Sequence, residues 1–179
     1  DKSCSVDVFF ALSHGVHRGI LKSGKIDDRI TFLRNLQKKT QDVKFDIYGV
    51  DKIQPIWADH YFKTISNAKM GLNLSRGEAI KYYSSDRITQ IVGNGLVCLI
   101  DEKTKYRDYF DNSEMVFYKN ENDLSEKILK ISRDEKLRKS IGRKGKNKYM
   151  KFFNSTKVAE FIINKTLDIE SQKKFFWHN

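Results

Sequence analysis

A chain of 179 residues, 39% hydrophobic and 32% charged, is long enough to bury a core and too balanced in composition to be disordered as a whole. No apolar run approaches the roughly 18 to 20 residues of a membrane span, and the N-terminus lacks a charged region followed by an apolar signal core, so a cytoplasmic protein is expected. The net charge of +11 admits anionic partners, whereas two cysteines, Cys4 and Cys98, make neither a disulfide framework nor a metal cluster.

Strand and helix alternate along the chain. Val6 to Leu12 reads as a buried strand, "SHGVHRGILKSGKIDDR" as a glycine-bearing loop, and Ile26 to Gln37 as a helix with Ile30, Leu33, Arg34 and Leu36 near one face. Val43 to Val50 is the second strand. Ala58 to Ala68 is expected to be a helix with Tyr61, Phe62 and Ile65 inward, and Met70 to Leu74 the third strand.

The stretch "KYYSSDRITQIVGNGLVCLID" then compresses several signals. Ile88, Ile91 and Val92 fall on one helical face, so Ser84, Ser85 or Asp86 reads as the N-cap. Gly93-Asn94-Gly95 stops that helix. Leu96 to Ile100 is apolar without alternation, as in a strand buried on both faces of a parallel sheet. Glu114 to Tyr118 supplies a fifth strand, and three helices finish the chain: Asp123 to Ile131, about Asp134 to Phe152, and about Ser155 to Ile169. Five strands separated by helices predict an α/β fold, a Rossmann-like doubly wound parallel sheet with helices on both faces.

Sheets of this kind bind ligands beyond the carboxyl ends of their strands, where the winding reverses. The loops in that position are Ser13 to Lys25, Val50 to Trp57, Ser75 to Asp86 and Asp101 to Phe110. The first carries His14, His17, Arg18, Lys22 and Lys25 among glycines, and the third ends at a helix N-terminus with Ser84, Ser85, Asp86 and Arg87. Glycines, cations and a helix N-terminus suit a diphosphate, and a nearby carboxylate or amide suits a ribose diol, so a nucleotide-containing ligand is expected. The chain has no G-x-x-x-x-G-K-[ST], no G-x-G-x-x-G after its first strand and no G-x-S-x-G, which disfavours P-loop phosphoryl transfer, nicotinamide dinucleotides and serine hydrolysis.

From Val6 to about Leu167 the sequence resembles the C-terminal, donor-binding half of a GT-B glycosyltransferase, in the group 1 and spore-maturation-like branches. The resemblance rests on the order of landmarks: a basic loop after the first strand, "DIYG" ending the second, "ADHYFKTISNAKMGLNLSR" before the donor loop, "SDRITQIVGNGLVCLID", and the tail "LRKSIGRKGKNKYMKFFNSTKVAEFI". It implies a nucleotide-diphosphate sugar as donor substrate, no other cofactor and no metal. Arg18 and Arg87 would be the catalytic cations on the leaving diphosphate. Together with His14, Lys22, Lys25, Ser84, Ser85, Asp86 and Gln90 they would form the donor-binding set. In one register Gln90 takes the place of a ribose-binding Glu. In a second, favoured register Asp86 holds ribose and Arg87 phosphate, as in the Glu-Lys-Ile motif of fucosyltransferases of this fold. Glu78 and Asp86 also match the spacing of the Glu-x7-Glu pair of retaining enzymes.

The resemblance further implies that residues 1–179 form one nucleotide-sugar-binding domain with closing helices from about 134, and that the acceptor domain of the same enzyme is absent, so the isolated chain would bind donor and turn over little. The glycan, lipid or protein acceptor is not readable from these residues. Lys136 to Lys151 carries a dense set of Lys and Arg with no acid among them. With the aromatic tail "FFWHN" it leaves a basic module for nucleic acid or an anionic surface as an alternative, including a peripheral contact at the inner face of the membrane. A nucleotide-sugar epimerase of the same fold is a further one. No RNA- or DNA-binding motif supports nucleic acid.

Overall fold

The apolar runs become the five strands of one parallel sheet: β1 (Val6–Ala11), β2 (Phe45–Tyr48), β3 (Ala68–Asn73), β4 (Val97–Asp101) and β5 (Val116–Tyr118). The computed structural model describes residues 4–13, 28–50, 52–83, 85–169 and 175–177. Among the described residues six α-helices join and cover the strands: α1 (Arg29–Lys39), α2 (Ala58–Ile65), α3 (Asp86–Gly93), α4 (Glu121–Arg133), α5 (Glu135–Phe152) and α6 (Ser155–Thr166). The strand order is β2-β1-β3-β4-β5, the doubly wound arrangement expected from the sequence.

The absence of alternation in the strands has a direct physical cause, because each strand feeds two cores. Val97 and Leu99 join the cluster under α1 and α4 with Phe10, Leu36 and Ile128, whereas Cys98 and Ile100 join the cluster under α3 with Phe9, Ile65, Ile91 and Phe110. Successive side chains point to opposite faces, so both must be apolar.

Three local expectations are corrected. Arg34 is exposed and Phe32 packs against the core in its place, because Leu33 and Leu36 fix the inward face and position 34 is turned about 100° from Leu33. In α2, Ile65 is fully buried and Tyr61 half-buried one turn before it, but Phe62 is 52% exposed. The helix ends at Ile65 rather than Ala68, so there is no further turn to cover Phe62.

α5 lies close against the chain that enters β4 and β5. A β carbon on Gly142 would stand 2.2 Å from the Gly95 carbonyl oxygen, and one on Gly145 2.3 Å from that of Glu114. Only glycine permits this approach. The Lys136 to Lys151 run lies on this helix: Lys136, Arg143, Lys144, Lys146 and Lys151 are exposed, while Lys148 turns back to pair with Glu114 at 2.7 Å and to lie over the Phe110 ring. The aromatic tail also has an internal use. Phe176 stacks on Phe152 with ring centroids 4.3 Å apart, and Trp177 stacks on Phe153 at 5.4 Å. Among the described residues no helix is long and apolar enough to cross a membrane.

Candidate functional site

The chain leaves β1 toward β2 on one side and returns to build β3, β4 and β5 on the other, so the order reverses between β1 and β3. Two strands diverging in their connections leave a crevice at their carboxyl ends. Ala11, Leu12 and Ser13 form one lip of it and Asn73, Leu74 and Ser75 the other.

α3 begins at this crevice. Ser85 holds the N-cap position in extended backbone, but its hydroxyl does not cap the helix; it donates instead to Asn73 Oδ1 at 3.0 Å. Among the described residues no side chain therefore caps the N-terminus of α3, whose partial positive charge faces the cleft. Asp86 is the first residue of the helix rather than its cap, and its carboxylate is exposed. Arg87 follows with a half-buried guanidinium that donates through Nη1 to the Leu74 carbonyl at 3.2 Å and through Nη2 to the Ala11 carbonyl at 3.3 Å. It ties the ends of β3 and β1 together while lying over the Phe10 ring, 5.0 Å from its centroid. Burial, reinforced by the neighbouring Arg29, lowers its pKa, yet a guanidinium remains a cation at any pH the fold meets. Three of its five N–H donors are not used in these two bonds.

Two chambers open on either side of this wall. The first, about 450 Å³, is largely aromatic: Trp57, Tyr61, Phe62 and Tyr83 face Asp86 and Gln90. The second, about 440 Å³, is charged, with Arg29, Arg76 and Glu78 near Asn73 and Ser75. Leu12, Ser13, Tyr83, Ser85 and Arg87 line both. Burial pushes the Tyr61 phenol up, so it stands in the first chamber as a neutral hydrogen-bonding group.

Of the residues expected from sequence, Ser85, Asp86, Arg87 and Gln90 are brought together on one wall of the first chamber. Asp86 and Gln90 are i and i+4 on α3 and so share a face, which means that the two sequence registers point into the same space. Glu78 stands in the second chamber and Asp86 in the first, with Ser85 and Arg87 at the partition. His14, Arg18, Lys22, Lys25 and Ser84 lie outside the described residues. The loop Asp101 to Phe110 lines neither chamber. It anchors the cleft loop from outside, accepting the Tyr82 N–H at the Thr104 carbonyl (2.9 Å) and the Tyr82 hydroxyl at Asp108. Asn73, Arg29 and the aromatic group were not selected from sequence. An amide ending an apolar strand and an arginine opening a helix on its buried side were the available signals.

A parallel sheet of this order, with a helix N-terminus and cations at its switch point, defines a Rossmann-like α/β domain with a ligand cleft beyond its strands. The chain belongs to the glycosyl transferase-like family, whose model matches residues 29–164. Among solved structures it is similar to a point mutant of S. aureus TarM in complex with Fondaparinux, alpha-GlcNAc-glycerol and UDP, with 16% identity and a TM-score of 0.63 over 91% of this chain and 36% of that one. A second TarM structure matches with 17% identity and a TM-score of 0.64, over 90% of this chain and 35% of that one. The chain thus spans about a third of the length of these neighbours.

Proposed function

We propose that this chain is the donor-binding domain of a group 1 type glycosyltransferase that takes a sugar from a nucleoside diphosphate carrier. The observation that carries the reading is Arg87, a cation fixed between the ends of β1 and β3 beside the uncapped N-terminus of α3. In the transfer, the bond between the sugar's anomeric carbon and the diphosphate oxygen breaks and a bond to an acceptor oxygen forms. Charge accumulates on the departing diphosphate, and preorganised cations and helix amides stabilise it where it develops. Arg87 supplies that stabilisation from the partition, Arg18 from the first loop, and no metal is required. Asp86 holds the ribose diol, with Gln90 one turn behind it on the same face.

Residues 1–179 act in this reading as one nucleotide-sugar-binding domain. Acceptor binding and any general base belong to a second domain of the same enzyme, so the isolated chain binds donor and turns over little. The UDP and sugar ligands of the S. aureus TarM complex support the ligand class. In this reading the enzyme works in the cytoplasm or held at the inner membrane face.

The test is a thermal-shift and calorimetric screen against UDP, GDP, ADP and CDP without divalent metal. One of them raises the melting temperature, and at about 100 times its Kd the added stability is about 2.7 kcal/mol. Flat melting curves with all four at millimolar concentration overturn the reading.

A further inference from the structure

The loop between β3 and α3 lines the charged chamber with Arg76, Glu78 and Ile80, and reaches both chambers with Tyr83. Just before Tyr83 the chain makes a tight turn. The Tyr83 N–H donates to the Ile80 carbonyl at 3.2 Å, and Tyr82, the third residue of that turn, has left-handed backbone with φ +58°. Turns of this shape ordinarily put glycine or asparagine there, because a larger side chain is strained in that conformation. A tyrosine in such a place needs contacts that hold it.

Tyr82 has three of them, all to the segment that follows β4. Its N–H donates to the Thr104 carbonyl at 2.9 Å, its hydroxyl donates to the Asp108 carboxylate, and its ring centroid lies 5.2 Å from that of Tyr109. Asp108 pushes the phenol's pKa up to about 12, so the hydroxyl keeps its proton at any ordinary pH. The receiving segment is itself rooted in the fold. Thr104 is buried and its hydroxyl donates to the Asp101 carbonyl at 2.6 Å, while Phe110 is buried and the Tyr109 ring meets that of Phe153 at 6.0 Å.

We infer that Tyr82 is a positioning residue of the cleft, a strap that ties the Ile80 to Tyr83 turn to Thr104 and Asp108 and so sets Tyr83 at the partition before ligand arrives. Glycine would relieve the turn but would lack both the hydroxyl and the ring. The inference rests on the nucleotide reading above for what enters the cleft. It adds that affinity depends on a contact outside the cleft, since a ligand that meets Tyr83 already in place does not have to order it.

The experiment compares the wild-type chain with Tyr82→Phe, Asp108→Ala, Asp108→Asn, Tyr83→Ala and the double variant Tyr82→Phe with Tyr83→Ala. Each is titrated calorimetrically with the best-bound of UDP, GDP, ADP and CDP, and amide exchange of residues 75–83 is followed without ligand. Tyr82→Phe keeps the ring and the N–H, so it spares the fold while removing the hydroxyl bond. It should weaken the diphosphate about two- to tenfold and speed exchange in the 75–83 segment. Asp108→Ala should do the same, whereas Asp108→Asn, whose amide oxygen still accepts, should retain most of the affinity.

The double variant separates positioning from general loosening. If the strap acts through Tyr83, Tyr82→Phe costs no further affinity once Tyr83 is alanine. An equal loss in both backgrounds, or unchanged affinity in Tyr82→Phe, overturns the inference and leaves the donor reading standing. If the wild-type chain binds none of the four nucleotides, the donor reading fails instead. The strap is then decided by exchange alone, and an unchanged 75–83 segment in Tyr82→Phe overturns it.

Discussion

The Ser85 hydroxyl donates to Asn73 Oδ1 across 3.0 Å, joining the cap position of α3 to the last residue of β3. Asn73 is 3% exposed but lines the second chamber, so water in the cleft replaces that donor when it is lost. Ser85→Ala should therefore cost about 0.5 to 1.5 kcal/mol, the net worth of an ordinary hydrogen bond. Urea denaturation checks it, with a lower midpoint at unchanged slope.

Asp86, Arg87 and Gln90 line one chamber but have different partners, and substitution separates them. Arg87→Ala should weaken a nucleoside diphosphate about tenfold or more while sparing the nucleoside, because a charge-assisted contact to phosphate is worth about 1.5 to 3 kcal/mol. It should also destabilise the fold, since the Ala11 and Leu74 carbonyls lose their donor. Asp86→Ala should weaken nucleoside and diphosphate alike. If Gln90→Ala does so instead, and Asp86→Ala changes only the melting temperature, the ribose belongs to Gln90.

Glutamine at Lys136, Lys144, Lys146 and Lys151, all exposed on α5, should leave nucleotide affinity nearly unchanged. None of the four lines either chamber. Any affinity of the chain for DNA should vanish in this variant together with its salt dependence. A fall in nucleotide binding would show that the cleft described here is not the binding site.

Gly142→Ala should destabilise by about 1 to 3 kcal/mol through overpacking, since the added carbon meets the Gly95 carbonyl, a main-chain atom that does not swing aside. Gly93→Ala is the control. Its β carbon would meet only the Met150 terminal methyl at 3.6 Å, an ordinary contact, and alanine is the better helix former. Thermal melts of the two variants should move apart.

Burial pushes the Cys98 thiol up to about 12, which leaves it a weak nucleophile. Native protein at pH 8 should show Cys98 unmodified by iodoacetamide, with labelling appearing only on unfolding. The sign of the pH dependence follows from the raised value. Below about pH 8.5 the thiol is protonated in both states and has no effect. Above it the unfolded chain loses the proton while the folded chain keeps it, so stability falls between about pH 9 and 12, and falls less in Cys98→Ala.

Much of the fold was legible because it depends on local pattern. A strand buried on both faces must be apolar at every position, so Leu96 to Ile100 announced β4 without its neighbours. The glycines after Val92 stopped α3 because a left-handed backbone is needed there, and Gly95 has φ +78°. Exposure was less legible where periodicity was short. Arg34 sits one step from buried Leu33 and Phe62 one step from half-buried Tyr61, and helices of about two to three turns do not define a face sharply enough to exclude them.

The site divides along the same line. Sequence by itself determined that a helix N-terminus with Asp86 and Arg87 stands after β3, because caps, glycines and apolar periods act over a few residues. Only the tertiary structure decided what those residues meet: that Ser85 turns to Asn73 rather than capping its own helix, and that Arg87 reaches back 76 positions to the Ala11 carbonyl and so ties β1 to β3. It also decided that Arg29, silent in its own helix, lines the charged chamber beside Arg87. These are contacts between chain segments distant in sequence. They exist only once the sheet sets β1 beside β3, and no local pattern encodes which side chains then share a wall.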